Sequence, residues 1–214
     1  MGTVLSRSPV SSKQAHFFLR YALQSLGIVV LLAVLVRTFL VSSYVMTGDG
    51  MLPSIWSGDF LIGFKWGLEN PHRGSVVVLR CPSDRERNCL KRVVGIPGDR
   101  IEFRGDQLVV NGDPAYKRRV GPRFAIEKVG STRWVTWPAP ETTPRPPVVV
   151  PPEHVFVLND KRSNREDSRS WGPIPVHLLD ARLIRIWLSL DWYHDGQLQA
   201  WPQVRWQRVL RGID

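Results

Sequence analysis

Cysteine is scarce in this chain of 214 residues, which contains only two. So few cysteines exclude a zinc module built on cysteine ligands and a small domain held together by many disulfides. The sequence also shows no internal repeat and no glycine-rich phosphate-binding loop, because Gly48 and Gly50 alone do not form one. Acidic residues are the minority, 19 against 29 lysines and arginines, and the net charge of +10 favours contact with nucleic acid or anionic lipid.

Apolar residues, by contrast, make up 43% of the chain, which excludes a wholly disordered protein. Many of them form one long run near the N-terminus. Residues 22–36 carry no charge, and the apolar character extends upstream to Phe17 and downstream to Val45. Only Arg20 and Arg37 interrupt it. The run is long enough for a membrane-spanning helix whose two arginines reach the interfaces.

The charges around this run predict its orientation. No acidic residue precedes Asp49, whereas basic residues flank the N-terminal side. We therefore predict a short cytoplasmic N-terminus at 1–16, a transmembrane helix at 17–41 and an extracytoplasmic domain at 42–214. These three parts describe a single-pass protein of the cytoplasmic (inner) membrane. The alternative is a cleaved secretory signal, although residues 41–43 do not form a clean small-x-small cleavage site.

The remaining sequence alternates between short β-type runs and turns. The runs are rich in β-branched and aromatic residues and cover 59–64, 75–79, 90–94, 100–103, 108–110, 154–158 and 184–188. Turn dipeptides separate several of them, and the spacing predicts a mainly β, antiparallel, barrel-like domain. Seven of the fifteen residues in 138–152 are proline, which predicts an extended loop without strand structure.

The two cysteines bracket a polar loop. If the runs 75–79 and 90–94 pair as a hairpin, Cys81 and Cys89 face one another, and an exported domain lies in an oxidising compartment where a disulfide persists. The alternative is two unpaired thiols. A metal site is not expected, because two ligands without a nearby histidine do not hold a metal.

Three sequence blocks occur in order behind the apolar run. They cover 36–40 with 50–62, then 90–99, and finally 159–162 with 167–172. Together they resemble the type I signal peptidase (leader peptidase) family, membrane serine proteases that remove signal peptides from exported proteins. The resemblance implies a β-rich catalytic domain on the outer face of the membrane, with no metal and no organic cofactor.

The resemblance also implies a Ser/Lys catalytic dyad. In such a dyad a lysine kept neutral by apolar surroundings takes the proton from the serine that attacks the peptide carbonyl. Lys91 matches the position of the general base. Outside this motif, Lys91 would be read as an ordinary solvated lysine on a strand.

Several positions depart from the family pattern. In the third block, Asn159 stands where the pattern has glycine. Gly50 stands where the family has its nucleophilic serine, so the standard covalent mechanism has no attacking oxygen. Gly48 stands where a serine hydroxyl helps to hold the oxyanion. Arg165 replaces the serine that contacts the lysine, and it either disfavours protonated Lys91 or fills the pocket. Deliberate removal of the nucleophile would explain Gly50 but not Gly48 and Arg165.

Neighbouring side chains are not expected to replace the nucleophile that is missing at Gly50. Asp49 is expected to point away from the missing hydroxyl, because adjacent strand residues face opposite sides. If Asp49 did reach Lys91, its carboxylate would favour the ammonium form and oppose base catalysis. Thr47 also lies nearby, and Ser54 matches a family threonine that is ordinarily structural.

The third block is expected to brace the site by a buried ion-pair network, although charged loop residues are more often solvated. Its members are Asp160, Arg162, Asp167, Ser168 and Arg169. The resemblance also predicts a groove that holds an extended peptide by strand addition. One edge of this groove consists of Tyr44, Val45, Met46 and Thr47.

The C-terminal residues 201–211 place Arg205, Arg208 and Arg211 three apart, which predicts a basic amphipathic helix that contacts lipid. Packing of Trp206 into the β domain is the alternative. Nucleic acid is not an expected partner, because no reader motif is present and the domain is exported.

Two functional hypotheses follow. In the first, the protein is catalytically impaired or inactive and binds signal-peptide-like or pilin-like segments as an assembly factor or accessory subunit. Its partners are then exported proteins, the lipid bilayer, and an active signal peptidase or the export machinery. In the alternative, it is an active signal peptidase I that cleaves preproteins by an unusual route.

Overall fold

The computed structural model describes residues 12–139, 145–194 and 197–213. Two predicted segments are therefore covered only in part. Residues 1–11 of the cytoplasmic N-terminus and residues 140–144 of the proline-rich loop lie outside the described residues. The chain divides into two units, the first ending at Leu40 and the second beginning at Val41.

The first unit contains a single described helix, α1, from Ser12–Phe39. Its segment Phe17–Phe39 has 23 residues with a mean hydropathy of 2.1, and none of its most apolar window is buried. That length and composition are enough to cross a membrane. The helix ends before the predicted boundary at residue 41, because Val41 already pairs with Phe64 in a strand.

The second unit is built from antiparallel strands. Their bounds are β1 Val41–Val45, β2 Asp59–Phe64, β3 Val76–Cys81, β4 Asp84–Gly95, β5 Arg100–Arg104, β6 Gln107–Val110, β7 Asp113–Pro114, β8 Tyr116–Val120, β9 Phe124–Val129, β10 Thr132–Thr136, β11 Val148–Val149, β12 His154–Leu158, β13 Ile174–Pro175, β14 Leu179–His194 and β15 Gln197–Val204. The short helix α2 spans Ser168–Trp171, and 3₁₀ turns lie at Val176–Leu178 and Trp206–Arg208.

These strands form three sheets. The largest has the order β1-β2-β14-β3-β4-β12-β13, with β15 pairing to β14. A second sheet has the order β10-β9-β8, and a third the order β11-β5-β6-β7. Each of the seven predicted strands overlaps a strand of the structure, which confirms the mainly β, antiparallel fold class.

A buried cluster fixes the loop after β1 onto the large sheet. Met51 and Ile55 in this loop are fully buried and belong to one core cluster with Met46, Leu61 and Ile186. Burying side chains of this size contributes about 1.5–3 kcal/mol each. The loop that carries positions 48–50 is therefore held by its own apolar residues.

Two predictions about local structure are wrong. The proline-rich stretch contains a short strand, in which Val148 and Val149 pair with Ile101 and Arg100. These two residues are not prolines, so they have the backbone N–H groups that strand pairing needs. The strands β8, β9 and β10 were not predicted at all. The lysine and arginines in Tyr116–Val120 hide the strand pattern, because that strand is mostly exposed and its polar side chains face solvent.

The C-terminal amphipathic helix is also not found. Trp201 lies in β15, and within the described residues 201–211 the helical structure is limited to the 3₁₀ segment Trp206–Arg208. Arg208 is buried and paired with Asp59, so it is not part of a solvent-facing basic stripe. Trp206 is 74% exposed, so the alternative in which it packs into the domain is wrong as well.

Candidate active site

Two chain segments meet around a cavity of about 170 Å³, which we call the Lys91 pocket. Segment 45–50 continues from the end of β1, and segment 87–91 belongs to β4. The remaining lining residues follow β12 and are Asn159, Asn164 and Glu166. The pocket thus brings together the predicted positions Gly48, Gly50 and Lys91, which are separated by up to 43 residues in the sequence.

Two predicted site residues do not line this pocket. Tyr44 packs against the core and donates its hydroxyl hydrogen bond to Asp180, and burial together with that carboxylate raises the pKa of Tyr44. Arg165 does not fill the pocket, and its carbonyl accepts a hydrogen bond from the Ser170 hydroxyl at 2.7 Å. The next residue, Glu166, lines the pocket in its place.

Lys91 is a buried lysine, with only 4% of its surface exposed. The pKa of Lys91 is lowered from 10.5 to about 8, chiefly because burial disfavours the charged form. Asp167 and Glu166 oppose this shift, and Arg87 adds to it. Its ammonium nitrogen lies 5.4 Å from the centroid of the Trp171 ring. A lysine with a pKa near 8 is partly neutral at physiological pH, so Lys91 has the protonation behaviour of a general base.

We expect a titration to assign this low pKa to Lys91. After reductive methylation with a ¹³C label, one lysine resonance is expected to titrate near pH 8. The resonance should be lost in Lys91→Met and retained in Lys128→Met. Because the unfolded chain still binds this proton between about pH 8 and 10.5, the Lys91 contribution to stability should rise with pH across that window. Titration only near pH 10.5 would contradict a desolvated Lys91.

The space beside Gly50 is occupied. A β-carbon placed on Gly50 would lie 2.8 Å from Oδ1 of Asn159 and 3.3 Å from Nδ2 of Asn164. Carbon atoms do not approach an oxygen that closely without displacement of one of them. A serine at position 50 therefore requires Asn159 to move.

Asn159 is held firmly in this position. It is fully buried, and its Nδ2 donates to the carbonyl oxygens of Asn164 and Glu166 at 3.1 and 3.2 Å and to Oδ1 of Asn164 at 3.2 Å. Since two of these acceptors are backbone carbonyls, a flipped amide would place oxygen against oxygen. Oδ1 consequently faces Gly50, and it has no hydrogen-bond partner among the described residues.

Position 48 differs from position 50. A β-carbon on Gly48 would meet only the methyl group of Met46, at 3.8 Å, which is an ordinary contact. Gly48 therefore leaves open space where the resemblance places an oxyanion donor. Asp49 also lines the pocket, but its side chain is 57% exposed and pairs with Lys161.

Free backbone edges flank the Lys91 pocket. β1 pairs with β2 alone, so it forms an edge of the large sheet. On β4, Leu90 and Lys91 pair with β3 on one side, whereas pairing with β12 on the other side begins only at Arg92. No described strand pairs with that side of 88–91. An extended peptide fits such edges by strand addition.

The predicted bracing residues are all buried and bonded. Asp160 pairs with Arg92, Arg162 with Glu127 and Asp167 with Arg169, and the Ser168 hydroxyl accepts a hydrogen bond from the backbone N–H of Val157 at 2.9 Å. Arg92 also donates to the Ser54 hydroxyl at 3.1 Å, which gives Ser54 a structural contact. The ion pairs connect the loop after β12 to β4 and β9.

Cys81 and Cys89 form a disulfide with a Cα–Cα distance of 5.3 Å. Of the two alternatives that the sequence left open, a disulfide and two free thiols, the structure contains the disulfide. Cys89 also lines the Lys91 pocket, so the disulfide ties the tip of the β3–β4 hairpin next to the site. Among the described residues no cluster of metal-binding side chains is present.

Sequence reasoning missed several pocket residues. Asn159, Asn164, Glu166 and Arg87 had no assigned role. The available signal for Asn159 was its position in the third block, where the resembled pattern has glycine. A larger residue there, together with a smaller one at Gly50, would have suggested that the two positions compensate.

The fold and the pocket define a β domain with a buried lysine, preceded in the chain by one apolar helix. A family model described as signal peptidase, peptidase S26, matches residues 19–188. The chain therefore belongs to the signal peptidase family, peptidase S26.

Two sequence relatives agree with this assignment. Signal peptidase I of Bacillus caldolyticus is 32% identical over 167 residues, covering 71% of this chain and 82% of the relative. Signal peptidase I of Pseudomonas fluorescens is 27% identical over 203 residues, covering 75% of this chain and 69% of the relative. A crystal structure of a signal peptidase I from Enterococcus faecalis V583 is 26% identical and covers 53% of this chain and 96% of that chain, with a TM-score of 0.37.

Proposed function

We propose that this protein binds signal-peptide-like segments of exported proteins at the membrane without cleaving them. The observation that carries the proposal is Gly50, which leaves the nucleophile position without a side chain. Oδ1 of Asn159 lies only 2.8 Å from the place that the β-carbon of a side chain at position 50 would take. Without an attacking oxygen, Lys91 has no hydroxyl to deprotonate.

The binding half of the proposal rests on the pocket and its edges. The free edge at 88–91 and the segment 45–50 flank a cavity of about 170 Å³. Main-chain hydrogen bonds to such edges give affinity, and a small cavity selects small side chains. Signal-peptide-like and pilin-like segments have extended regions with small residues and suit this geometry.

The proposal includes a location and partners. α1 anchors the protein in the cytoplasmic membrane with its N-terminus inside and the β domain on the extracytoplasmic face. The protein then acts as an assembly factor or accessory subunit beside an active signal peptidase or the export machinery. No nucleic acid, metal or organic cofactor is part of this proposal.

An active signal peptidase is the second candidate, and one observation favours it. Lys91 keeps the burial and the low pKa, about 8, that a general base requires. Activity would then need an unusual nucleophile. Of the hydroxyl residues considered for this role, Thr47 lines the pocket, whereas Ser54 does not.

The test uses the full chain in detergent and a fluorescent peptide that spans a signal-peptide cleavage site. We expect binding by fluorescence anisotropy and no cleavage by mass spectrometry. Val45→Arg should weaken binding at least about tenfold by blocking the groove, because Val45 lines the pocket. Val149→Arg is the matched control, since Val149 is equally apolar, 57% exposed and outside the pocket.

Three outcomes are informative. Cleavage by the wild type that is lost in Lys91→Ala would establish the second candidate. Absence of any binding would overturn the proposal. Equal weakening by Val45→Arg and Val149→Arg would place the peptide elsewhere on the surface.

A further inference from the structure

A second cavity, of about 490 Å³, lies outside the Lys91 pocket and shares no lining residue with it. It is bordered by the start of β3, the start of β10, the first part of β14 and Ile213 near the C-terminus. We call it the basic pocket. Its charged or titratable lining residues are His72, Arg73, Arg133 and Arg182, and none of its described lining residues is acidic.

The three arginines of the basic pocket differ in how their charges are balanced. Arg73 is neutralised by Asp99, whose carboxylate lies 2.8 Å from its guanidinium. Arg182 is half-buried, and its Nε is a buried donor with no acceptor among the described residues. Arg133 is exposed at the rim. A buried guanidinium N–H without an acceptor is unfavourable, so a ligand that supplies an acceptor oxygen to Arg182 would be favourable here.

The shape and chemistry of the basic pocket indicate the class of anion. Guanidinium groups form paired hydrogen bonds with two oxygens of one oxyanion, and phosphate fits this geometry. Ser75 and Thr132 line the same cavity and bring hydroxyl groups that also bond phosphate oxygens. The buried residues Val76 and Leu183 add apolar surface to the lining.

We propose that the basic pocket binds a phosphate group through Arg133 and Arg182. The group belongs either to a phospholipid headgroup or to a free phosphate, since both present the same oxygens. This proposal does not depend on whether the Lys91 pocket cleaves or binds peptides. It would assign an anionic ligand to two of the arginines that contribute to the net charge of +10.

The experiment uses the full chain in detergent and isothermal titration calorimetry. Inorganic phosphate is the first probe, and mixed micelles with phosphatidylglycerol or phosphatidylcholine are the second. We expect Arg133→Gln and Arg182→Gln each to weaken phosphate binding about tenfold, and Arg133→Lys to weaken it less. The matched control is Arg118→Gln with Arg119→Gln, which removes two exposed charges on β8 outside the pocket.

The outcomes separate the two sources of phosphate. If phosphatidylglycerol binds more tightly than inorganic phosphate and Arg133→Gln weakens it, the ligand is a lipid headgroup. If inorganic phosphate alone responds to the pocket variants, the ligand is a free phosphate. If the β8 control loses as much phosphate affinity as the pocket variants, the binding reflects only the overall charge, and the proposal is overturned. The proposal is also overturned if none of the probes binds. Arg133 is exposed, so its variant keeps the test valid if Arg182→Gln fails to fold.

Discussion

Gly50→Ser alone is expected to leave the protein unable to cleave a preprotein, whereas Gly50→Ser combined with Asn159→Gly is expected to cleave it. The single change supplies the hydroxyl but places its β-carbon 2.8 Å from Oδ1 of Asn159. The serine then displaces a fully buried amide that holds three acceptors, and the hydroxyl is misplaced relative to Lys91. Removing the amide frees this space.

The effect on rate should be large. Restoring an attacking oxygen next to a base of suitable pKa is expected to raise preprotein cleavage at least about 100-fold over the wild type. Cleavage is measured by gel assay in liposomes with an active signal peptidase as the positive control. Adding Lys91→Ala to the double variant should abolish the gained activity, because it removes the buried lysine that we propose as the general base.

The thermal stability of these variants provides an independent test of the contact between position 50 and Asn159. Overpacking of this kind costs about 1–3 kcal/mol, so Gly50→Ser should lower the melting temperature by about 5 °C. In the Asn159→Gly background, the same serine should cost much less. Equal cost of Gly50→Ser in both backgrounds, or full activity of the single variant, would mean that Asn159 does not obstruct position 50.

Arg92→Ala is expected to be the most destabilising single change in the domain. Arg92 is 1% exposed and bonds both oxygens of Asp160 at 2.7 Å, and it also donates to the carbonyl of Gly74 at 2.6 Å. Removing it leaves a buried, unpaired carboxylate, which costs about 3–5 kcal/mol. For a domain of this size, that corresponds to a fall of about 10 °C in melting temperature.

The measurement is thermal unfolding of the full chain in detergent, followed by tryptophan fluorescence. Arg104→Ala is the matched control, because Arg104 pairs with Glu102 on the surface and its loss should shift the melting temperature by less than about 2 °C. Arg92→Met combined with Asp160→Leu should recover much of the loss, since no charge is then left unpaired. Similar shifts for Arg92→Ala and Arg104→Ala would show that the buried pair does not brace the domain.

Local sequence predicted secondary structure correctly where the side chains of a segment themselves favour one structure. The strand Asp59–Phe64 was predicted to the residue, because its apolar and β-branched side chains favour a half-buried strand in any context. The same reasoning failed at Tyr116–Val120, where basic residues conceal an exposed strand. It failed again at Arg208, whose spacing indicates a solvent-facing helix, while its partner Asp59 lies 149 positions away in the chain.

Composition and short runs of residues were enough to predict the apolar helix and the β-rich domain. The base role of Lys91 and the vacant nucleophile position at Gly50 were predicted from the resemblance to signal peptidases and remain predictions. The fold was needed to show that Asn159 lies beside Gly50 and that Arg182 lines a second pocket whose described lining contains no acidic residue. The physical reason is that antiparallel pairing brings together residues that are far apart in the chain. Strand register and burial decide which of these distant polar side chains come into contact, and a local sequence pattern encodes neither of them.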